Sequence, residues 1–190
     1  MVGAVLTQNT AWTNVEKAID NLKAANSLDA ESIVLAHHRR LAAWLRPSGY
    51  FNVKARRLRN LCRFVLDAGG VKALSILSTP SLRAGLLTVN GVGPETADDI
   101  LLYAFNRPVF VIDAYTRRLF NRLGMISGEE TYEEMRLWFE SSLGADVALY
   151  NEYHALIVIQ AKDICKKRPL CESCVLQKRC EYYSNILGNL

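Results

Sequence analysis

The chain has 190 residues, half of them hydrophobic, and a formal net charge of +4 at pH 7. This length suits one large domain or two small ones that bury a sizeable core. No apolar run reaches the roughly 18 residues that a membrane span requires, and the N-terminus lacks the pattern of a signal peptide, so we expect a cytoplasmic protein without a membrane partner.

Basic residues collect in two parts of the sequence, between Lys54 and Arg63 and between Lys166 and Arg179. Acidic residues collect elsewhere, at 129–134. Such segregation produces a positive surface, which is common in proteins that bind phosphates. The alternative is that these charges only solvate helix faces.

Helical periodicity is present from the N-terminal third of the chain onward. Apolar residues repeat at i, i+3, i+4 and i+7 in the segments 15–22, 58–65 and 97–104, which is the pattern of one buried helix face. Thr79 followed by Pro80 predicts the N-cap and the first residue of a further helix.

The second half of the chain continues the helical pattern. Thr131 with Glu134 forms a capping-box sequence, and residues 147–161 are apolar on most sides, which predicts a central, buried helix. His154 lies in that helix and is interpreted as a hydrogen-bonded core histidine. Because no alternating strand pattern is present, we predict an all-α protein of eight or nine helices.

The stretch NGVGPETADD (90–99) joins two helices through bare backbone. Gly91 and Gly93 adopt positive φ at little cost and let another molecule approach the main chain, and Pro94 suits the first position of the next helix. The N–H groups at a helix start, together with the helix dipole, favour an anion such as a DNA phosphate. The stretch predicts a helix-hairpin-helix motif at about 80–105; the alternative is an ordinary helix connection with glycine caps.

Four of the five cysteines crowd the segment CKKRPLCESCVLQKRC, with the spacing C-x5-C-x2-C-x5-C. They are Cys165, Cys171, Cys174 and Cys180. Both zinc and a [4Fe–4S] cluster accept four cysteines, and a compact loop with a single C-x2-C favours the cluster. The fifth, Cys62, lies on an apolar helix stripe and is interpreted as a core residue.

These segments together resemble a helix-hairpin-helix DNA glycosylase of the endonuclease III superfamily, closest to its 3-methyladenine glycosylase-like branch. Besides the cysteine loop, four segments match in the family's order: VLTQNTAWTNVEKA (5–18), SGYFNVKA (48–55), NGVGPETADDILL (90–102) and VFVIDAYTRRLFNRLG (109–124). The resemblance implies two helical subdomains. Residues 1–125 would carry the hairpin and the catalytic aspartate loop, and residues 126–190 the iron–sulfur cluster.

Asp113 matches the catalytic aspartate of the family. It follows an apolar stretch and precedes a helix, so its carboxylate is expected near a helix N-terminus. The resemblance implies that a flipped nucleotide brings its sugar to this carboxylate, which stabilises the positive charge that grows as the N-glycosidic bond breaks. The alternative role for Asp113 is a plain helix N-cap.

Glu95 occupies the hairpin position at which the backbone-cutting members of the family carry a lysine. A carboxylate cannot form the Schiff base that such a lysine forms, so the resemblance implies a monofunctional glycosylase that leaves an abasic site. The alternatives are a bifunctional glycosylase and AP lyase acting on oxidised pyrimidines or mismatches, and a Glu95 that only complements the helix dipole.

Trp12 lies where the 3-methyladenine branch places an aromatic ring against the flipped base. Alkylation at a ring nitrogen makes a base cationic, and a tryptophan face attracts such a base by a cation–π contact. The resemblance therefore favours an alkylated purine such as 3-methyladenine as substrate. The alternative for Trp12 is core packing.

Several further residues are implied in base or DNA contact. Tyr50 matches the residue that wedges into the duplex, or else it packs at the surface, and Gln8 or Asn9 would fill the space of the extruded nucleotide. The candidates for backbone contact are Lys54, the turn residues Gly91, Val92 and Gly93, and the basic residues Lys166, Lys167 and Arg168 of the cysteine loop.

Two departures from the family pattern qualify these expectations. The first cysteine gap is five residues, where the family usually has six, and a helix that usually precedes the LTQNT segment in the cluster subdomain is not found. We expect a monomer that binds damaged double-stranded DNA, in the nucleoid if the source is bacterial or archaeal. The alternative of another class is a non-catalytic module that binds damaged DNA.

Overall fold

The computed structural model describes residues 1–187, which form twelve α-helices, three short 3-10 segments and no strand. The all-α prediction is confirmed. The helix count exceeds the predicted eight or nine because several helices span only five to seven residues, too few for a periodic pattern to identify. Within the same residues, no helix combines the length and the apolar character that crossing a membrane requires.

The chain divides into two compact units, Met1–Phe105 and Asn106–Leu190. The first contains eight helices, which are α1 (Val2–Leu6), α2 (Trp12–Ala24), α3 (Ala30–Leu35), α4 (His38–Trp44), α5 (Phe51–Asp67), α6 (Val71–Ser75), α7 (Thr79–Leu87) and α8 (Pro94–Phe105). The predicted boundary lay at residue 125. The loop that carries Asp113 therefore belongs to the second compact unit and not to the first.

Helix α5 is the centre of the first unit, where it packs against α1, α3 and α4. Its predicted apolar stripe, Leu58, Leu61, Cys62 and Val65, is buried. Burial raises the pKa of the Cys62 thiol to about 12, with Asp29 adding to the rise, so Cys62 is a core residue as predicted. Removal of this stripe from water is the main stabilising term for such a helix.

The helix-hairpin-helix prediction is confirmed by α7 and α8, which pack against each other. The N-cap of α7 lies one residue earlier than predicted: the Ser78 side chain accepts a hydrogen bond from the Ser81 N–H, so Pro80 is the second helical residue. Leu82 and Ile100 are buried within this unit. The two helices thus hold the 88–93 turn between them.

The second unit contains α9 (Ala114–Leu123), α10 (Tyr132–Leu143), α11 (Val147–Asp163) and α12 (Glu181–Leu187). The capping box of Thr131 and Glu134 is present at the start of α10. An aromatic cluster forms the core, in which the Phe110 and Phe139 rings stack with their centroids 4.3 Å apart. Helix α9 packs against α11, which brings the loop before α9 close to one face of α11.

The prediction that α11 is buried on most sides is wrong for one face. Tyr150, His154 and Ile157 are buried, but Leu156 and Ile159 are 53% and 55% exposed. Apolar residues on both sides of a helix do not show which side finds a partner, because that depends on the other elements of the fold. The buried side is the one that carries His154.

Candidate active site

The 88–93 turn owes its shape to Gly91, whose φ is +100°. A Cβ at this position would collide with the Arg57 side chain, which crosses the turn. Gly93 does not have positive φ, and a Cβ there would meet open space. Gly91 is therefore required by the fold, whereas Gly93 leaves the main chain accessible to a ligand.

Val92 is an anchor of the turn and not a surface residue. Its side chain is 5% exposed, and its N–H donates to the Val89 carbonyl at 2.9 Å. Neither the side chain nor the N–H of Val92 points to solvent. The prediction that Val92 contacts DNA is therefore wrong, and within this turn only Gly91 and Gly93 remain candidates for DNA contact.

Gln8 connects the LTQNT segment to the hairpin. Its Nε2 donates to the Gly91 carbonyl at 3.2 Å and to the Thr96 Oγ1 at 2.9 Å, and its Oε1 accepts a hydrogen bond from Arg57. The adjacent Asn9 is exposed and has a φ of 55°. Because the Gln8 amide already serves the fold, Asn9 is the better candidate for filling the space of an extruded nucleotide.

Trp12 is the first residue of α2 and is 53% exposed. Part of its ring lies over Gly3, where a Cβ would come within 3.3 Å of Cη2. A tryptophan in a core is normally far more buried than this. The alternative of core packing is therefore wrong for Trp12, and its ring is available to a ligand.

Tyr50 is the exposed aromatic residue that the wedge prediction requires. Its side chain is 67% exposed, and its backbone is left-handed at φ 44°, directly after Gly49 at φ 68°. A left-handed tyrosine is strained, and such strain is concentrated at functional sites. The wedge role stays a prediction, with a surface or hinge residue as the alternative.

Lys54 is a buried structural residue. Its side chain is 2% exposed, and its Nζ donates to the Leu6 carbonyl at 2.8 Å and to the Ser48 carbonyl at 2.6 Å. Burial lowers the pKa of the ammonium, and Arg57 adds to this effect. The prediction that Lys54 contacts a DNA phosphate is therefore wrong, because the ammonium cross-links two chain segments inside the first unit.

Glu95 is exposed in the first turn of α8. A carboxylate at this place complements the positive end of the helix dipole. It belongs to the same turn of helix as the buried Thr96, which receives the Gln8 hydrogen bond. Gln8 and Glu95, both predicted to line the base pocket, therefore lie at the hairpin: Gln8 contacts its turn and α8, and Glu95 is part of α8.

Asp113 is the N-cap of α9, as its sequence position predicts. Its Oδ1 accepts hydrogen bonds from the Thr116 N–H at 2.7 Å and from the Thr116 hydroxyl at 2.8 Å. Its side chain is only 14% exposed. Burial works to raise the pKa of Asp113, but His154 and the Thr116 hydrogen bonds outweigh burial and lower it. Asp113 is therefore an anion near neutral pH, held in a largely dry position.

His154 was interpreted from the sequence only as a core residue, and the structure places it beside Asp113. Its Nε2 lies 3.7 Å from the Asp113 Oδ2, and the residue is 8% exposed. The interpretation as a buried histidine is confirmed, but the sequence did not indicate its partner. Its place in a helix that was predicted to be buried was the one available signal.

The four C-terminal cysteines line one cavity in the second unit, together with Arg122, Gln177 and Tyr182. Arg122 donates to the Cys165 Sγ at 3.3 Å and to the Lys167 carbonyl at 3.0 Å. Gln160 donates to the Cys174 Sγ at 3.1 Å. Hydrogen-bond donors directed at sulfur are typical of protein sites in which thiolates bind a metal centre.

The four loop cysteines are candidate ligands of one metal centre. Within the described residues, no three side chains of His, Cys, Asp or Glu converge closely enough to hold one metal ion, yet all four thiols border the same space. Burial raises the pKa of Cys171, and the charges of Cys180, Cys174 and Cys165 raise it further. The neutral thiol is therefore favoured at Cys171, and metal binding there would require its deprotonation.

The basic loop after Cys165 has a hydrogen-bonded backbone and exposed side chains. Lys166, Lys167 and Arg168 are exposed, while the carbonyls of Lys166 and Lys167 accept hydrogen bonds from Arg122. The side chains are thus exposed, and their contact with phosphates stays a prediction.

Comparison with known proteins decides the family. The profile of the HhH-GPD superfamily of base excision DNA repair proteins matches residues 2–143. The chain belongs to this superfamily. The resemblance inferred from the sequence segments is confirmed, and the HhH-GPD fold accounts for the all-α architecture and the hairpin of α7 and α8.

Three relatives illustrate the similarity. A Methanocaldococcus jannaschii protein provisionally named a DNA repair glycosylase is 46% identical over 183 residues, covering 95% of this chain and 83% of the relative. Endonuclease III of Thermotoga maritima is 30% identical, with 96% and 82% covered. The crystal structure of the H. pylori 3-methyladenine DNA glycosylase bound to 1,N6-ethenoadenine has a TM-score of 0.75 at 32% identity, with 85% and 82% covered. The chain is thus a member of a family of DNA repair glycosylases.

Proposed function

We propose that this HhH-GPD protein is a monofunctional DNA glycosylase that releases an alkylated purine, such as 3-methyladenine, from double-stranded DNA. The observation that carries the proposal is the state of Asp113. Its carboxylate is ionised, largely shielded from water and held by two hydrogen bonds from Thr116. A fixed anion in a dry position is what a developing sugar cation requires.

The reaction that we propose is a hydrolysis. As the N-glycosidic bond breaks, its electron pair leaves with the base and positive charge grows on the deoxyribose ring. The Asp113 carboxylate offsets this charge and orients a water molecule, whose oxygen bonds to the anomeric carbon and whose proton is released. The products are a free base and an abasic site.

Glu95 supports a reaction without strand cleavage. A lyase requires a neutral amine that attacks the sugar and forms a Schiff base, and the Glu95 carboxylate cannot do this. Lys54 is unsuited to replace it, because its ammonium is buried and bonded to two carbonyls. We therefore expect no strand cleavage beyond the spontaneous cleavage of the abasic product.

Trp12 supports a preference for cationic bases. Its half-exposed ring offers a π-face, and a cation–π contact contributes on the order of 1–2 kcal/mol when the cation is desolvated. A base alkylated at a ring nitrogen carries this charge and leaves readily. The similarity to a 3-methyladenine DNA glycosylase bound to 1,N6-ethenoadenine supports an alkylated purine as the substrate.

DNA contact in this proposal involves the exposed parts of both units. In the first unit, Tyr50 inserts between bases, Asn9 fills the vacated space, and the main chain at Gly91 and Gly93 meets a phosphate. In the second unit, Lys166, Lys167 and Arg168 contact the backbone. We expect the protein to act on DNA as a monomer.

Cys165, Cys171, Cys174 and Cys180 would hold a [4Fe–4S] cluster, with zinc as the second candidate. When bound, the cluster supplies the positive charge that four thiolates require and keeps the basic loop folded. A brown protein that absorbs near ~400 nm is expected for the cluster; a colourless preparation that contains zinc would refute it.

The decisive experiment is incubation with duplexes that each carry one lesion, namely 3-methyladenine, 1,N6-ethenoadenine, an oxidised pyrimidine or a thymine mismatch. Alkali then cleaves the abasic sites. We expect product from the alkylated purines and loss of about 10³-fold or more of the rate in Asp113→Asn. Asp146→Asn is the matched control, because Asp146 caps α11 in the same way and is exposed. An unchanged rate in Asp113→Asn would support the non-catalytic DNA-binding module instead.

Lyase activity is tested separately, by trapping with borohydride. Borohydride reduces a Schiff base and so traps a covalent enzyme–DNA complex. We expect no trapped complex with the wild-type protein, and a detectable one with Glu95→Lys, which restores an amine at the hairpin position. A complex trapped with the wild-type protein would overturn the monofunctional proposal in favour of a bifunctional enzyme.

A further inference from the structure

The two carboxylate oxygens of Asp113 face different groups. Oδ1 accepts both hydrogen bonds from Thr116 on α9, whereas Oδ2 lies 3.7 Å from the Nε2 of His154 on α11. This distance exceeds that of a direct hydrogen bond, so the contact is electrostatic and a small rotation of either side chain would convert it to a hydrogen bond. Asp113 is thus bordered by its own helix on one side and by α11 on the other.

We propose that His154 is a positioning residue for the reaction, which fixes the second oxygen of Asp113 while Thr116 fixes the first. The proposal depends on the glycosylase function proposed above. With Thr116 alone, the carboxylate can still swing about its hydrogen-bonded oxygen. A hydrogen bond from the His154 Nε2, formed by that small rotation, constrains the second oxygen as well, so the carboxylate then needs little reorganisation as charge develops on the sugar.

The surroundings of His154 are suited to this role. The residue is 8% exposed on the side of α11 that packs against α9, and its ring meets the Phe110 ring edge-on with centroids 6.5 Å apart. Burial among aromatic rings limits the rotation of the imidazole. A buried polar ring beside apolar neighbours is stabilised by a polar partner, and the Asp113 carboxylate is such a partner.

The charge state of the imidazole matters for the effect on catalysis. A neutral imidazole with its proton on Nε2 directs a dipole at the carboxylate and leaves its negative charge intact. A protonated imidazole would cancel part of that charge, which the sugar cation needs. The neutral form with the proton on Nε2 is therefore the one that assists the reaction.

The test replaces the imidazole by groups that keep or lose the donor. His154→Phe retains an aromatic ring without a donor, and His154→Gln retains an N–H. We expect His154→Phe to lower the single-turnover rate of base release by about 10- to 100-fold, as expected for loss of a polar contact to a charged group, with the Kd for damaged duplex unchanged. His154→Gln should recover much of the rate. Tyr153→Phe, which alters the same aromatic cluster, is the packing control.

A second readout separates positioning from simple structural support. Because His154 favours the ionised form of Asp113, its removal raises the pKa of that carboxyl group and moves the acid limb of the rate–pH profile to higher pH. The Tm of each variant shows that it is folded. The proposal is contradicted if the acid limb of the rate–pH profile does not move in His154→Phe. It is also contradicted if His154→Gln releases base as slowly as His154→Phe.

The double variant shows whether His154 acts through Asp113. If it does, His154→Phe has no further effect on the residual rate of Asp113→Asn, whereas independent roles would multiply. Should Asp113→Asn retain full activity, the glycosylase function itself fails. If Asp113→Asn is inactive but His154→Phe releases base as fast as the wild type, the glycosylase function stands and only the role of His154 is refuted.

Discussion

Arg83 on α7 and Asp98 on α8 form a two-point ion pair across the hairpin. The Arg83 Nε lies 2.7 Å from Oδ1 of Asp98, and its Nη2 lies 3.0 Å from Oδ2. The Asp98 side chain is fully buried, and that of Arg83 is 16% exposed. A largely buried ion pair thus holds together the two helices that flank the 88–93 turn.

Loss of Arg83 should therefore destabilise the hairpin. Arg83→Ala removes two charge-assisted hydrogen bonds from the buried Asp98 carboxylate, so we expect it to lower the free energy of unfolding by about 3–5 kcal/mol in urea titrations followed by circular dichroism. Replacing both partners, in Arg83→Ala with Asp98→Ala, should cost less than the sum of the single changes. A loss below 1 kcal/mol in Arg83→Ala would show that the pair contributes little.

The two turn glycines should differ in their response to alanine. Gly91→Ala introduces a Cβ at positive φ that collides with Arg57, so we expect it to lower the free energy of unfolding by more than about 1 kcal/mol and to disturb the Gln8 hydrogen bonds. Gly93→Ala meets open space and should change stability by less than about 0.5 kcal/mol. Urea titration of both variants checks this; equal losses would contradict the distinction.

Lys54 should behave as a structural lysine and not as a phosphate contact. Lys54→Met leaves the buried carbonyls of Leu6 and Ser48 without their donor, so we expect a loss of about 1–3 kcal/mol in the free energy of unfolding. The dependence of log Kd on log salt for duplex binding should keep its slope. Lys166→Ala, in the exposed loop, should reduce that slope by about 1. A reduced slope in Lys54→Met would restore the original phosphate assignment.

Glu130 should make the free energy of unfolding of the second unit depend on pH in the acidic range. Its carboxylate accepts hydrogen bonds from Ser127 and Gly128, which lower its pKa from 4.5 to about 2. Because the pKa of the folded state is the lower one, the contribution of Glu130 to stability is present above pH 4.5 and is lost as pH falls toward about 2. Glu130→Gln should therefore be less stable than the wild type at pH 7 and similar to it near pH 2, by urea titration. Glu129→Gln, on the same loop, is the control for removal of a surface charge.

The cysteines should separate into ligands and a core residue. Cys174→Ser removes a thiolate from the cavity that all four loop cysteines line, so we expect loss of iron, loss of the absorbance near ~400 nm and a lower Tm. Cys62→Ser alters a buried thiol in α5 and should keep the iron while lowering stability. Iron and sulfide analysis of both purified variants distinguishes them; equal iron content would refute the ligand assignment.

Local pattern accounts for much of the fold and of the candidate site. The amphipathic stripe of α5, the hairpin of α7 and α8, the capping box at Thr131 and the helix that starts after Asp113 are each determined by residues within a few positions of one another. Spacing of this kind decides which side chains share a helix face. The clustering of four cysteines in sixteen residues also required no tertiary information, because so short a loop cannot carry them far apart.

The tertiary structure alone decided which distant groups meet. Lys54 and Arg57 lie one turn apart on a basic helix, yet Lys54 is buried against the distant Leu6 carbonyl and Arg57 crosses Gly91. His154 approaches Asp113 only because α11 packs against α9. A sequence specifies that a polar group has to find a partner when it is buried, but the identity of the partner depends on how helices far apart in the chain pack together.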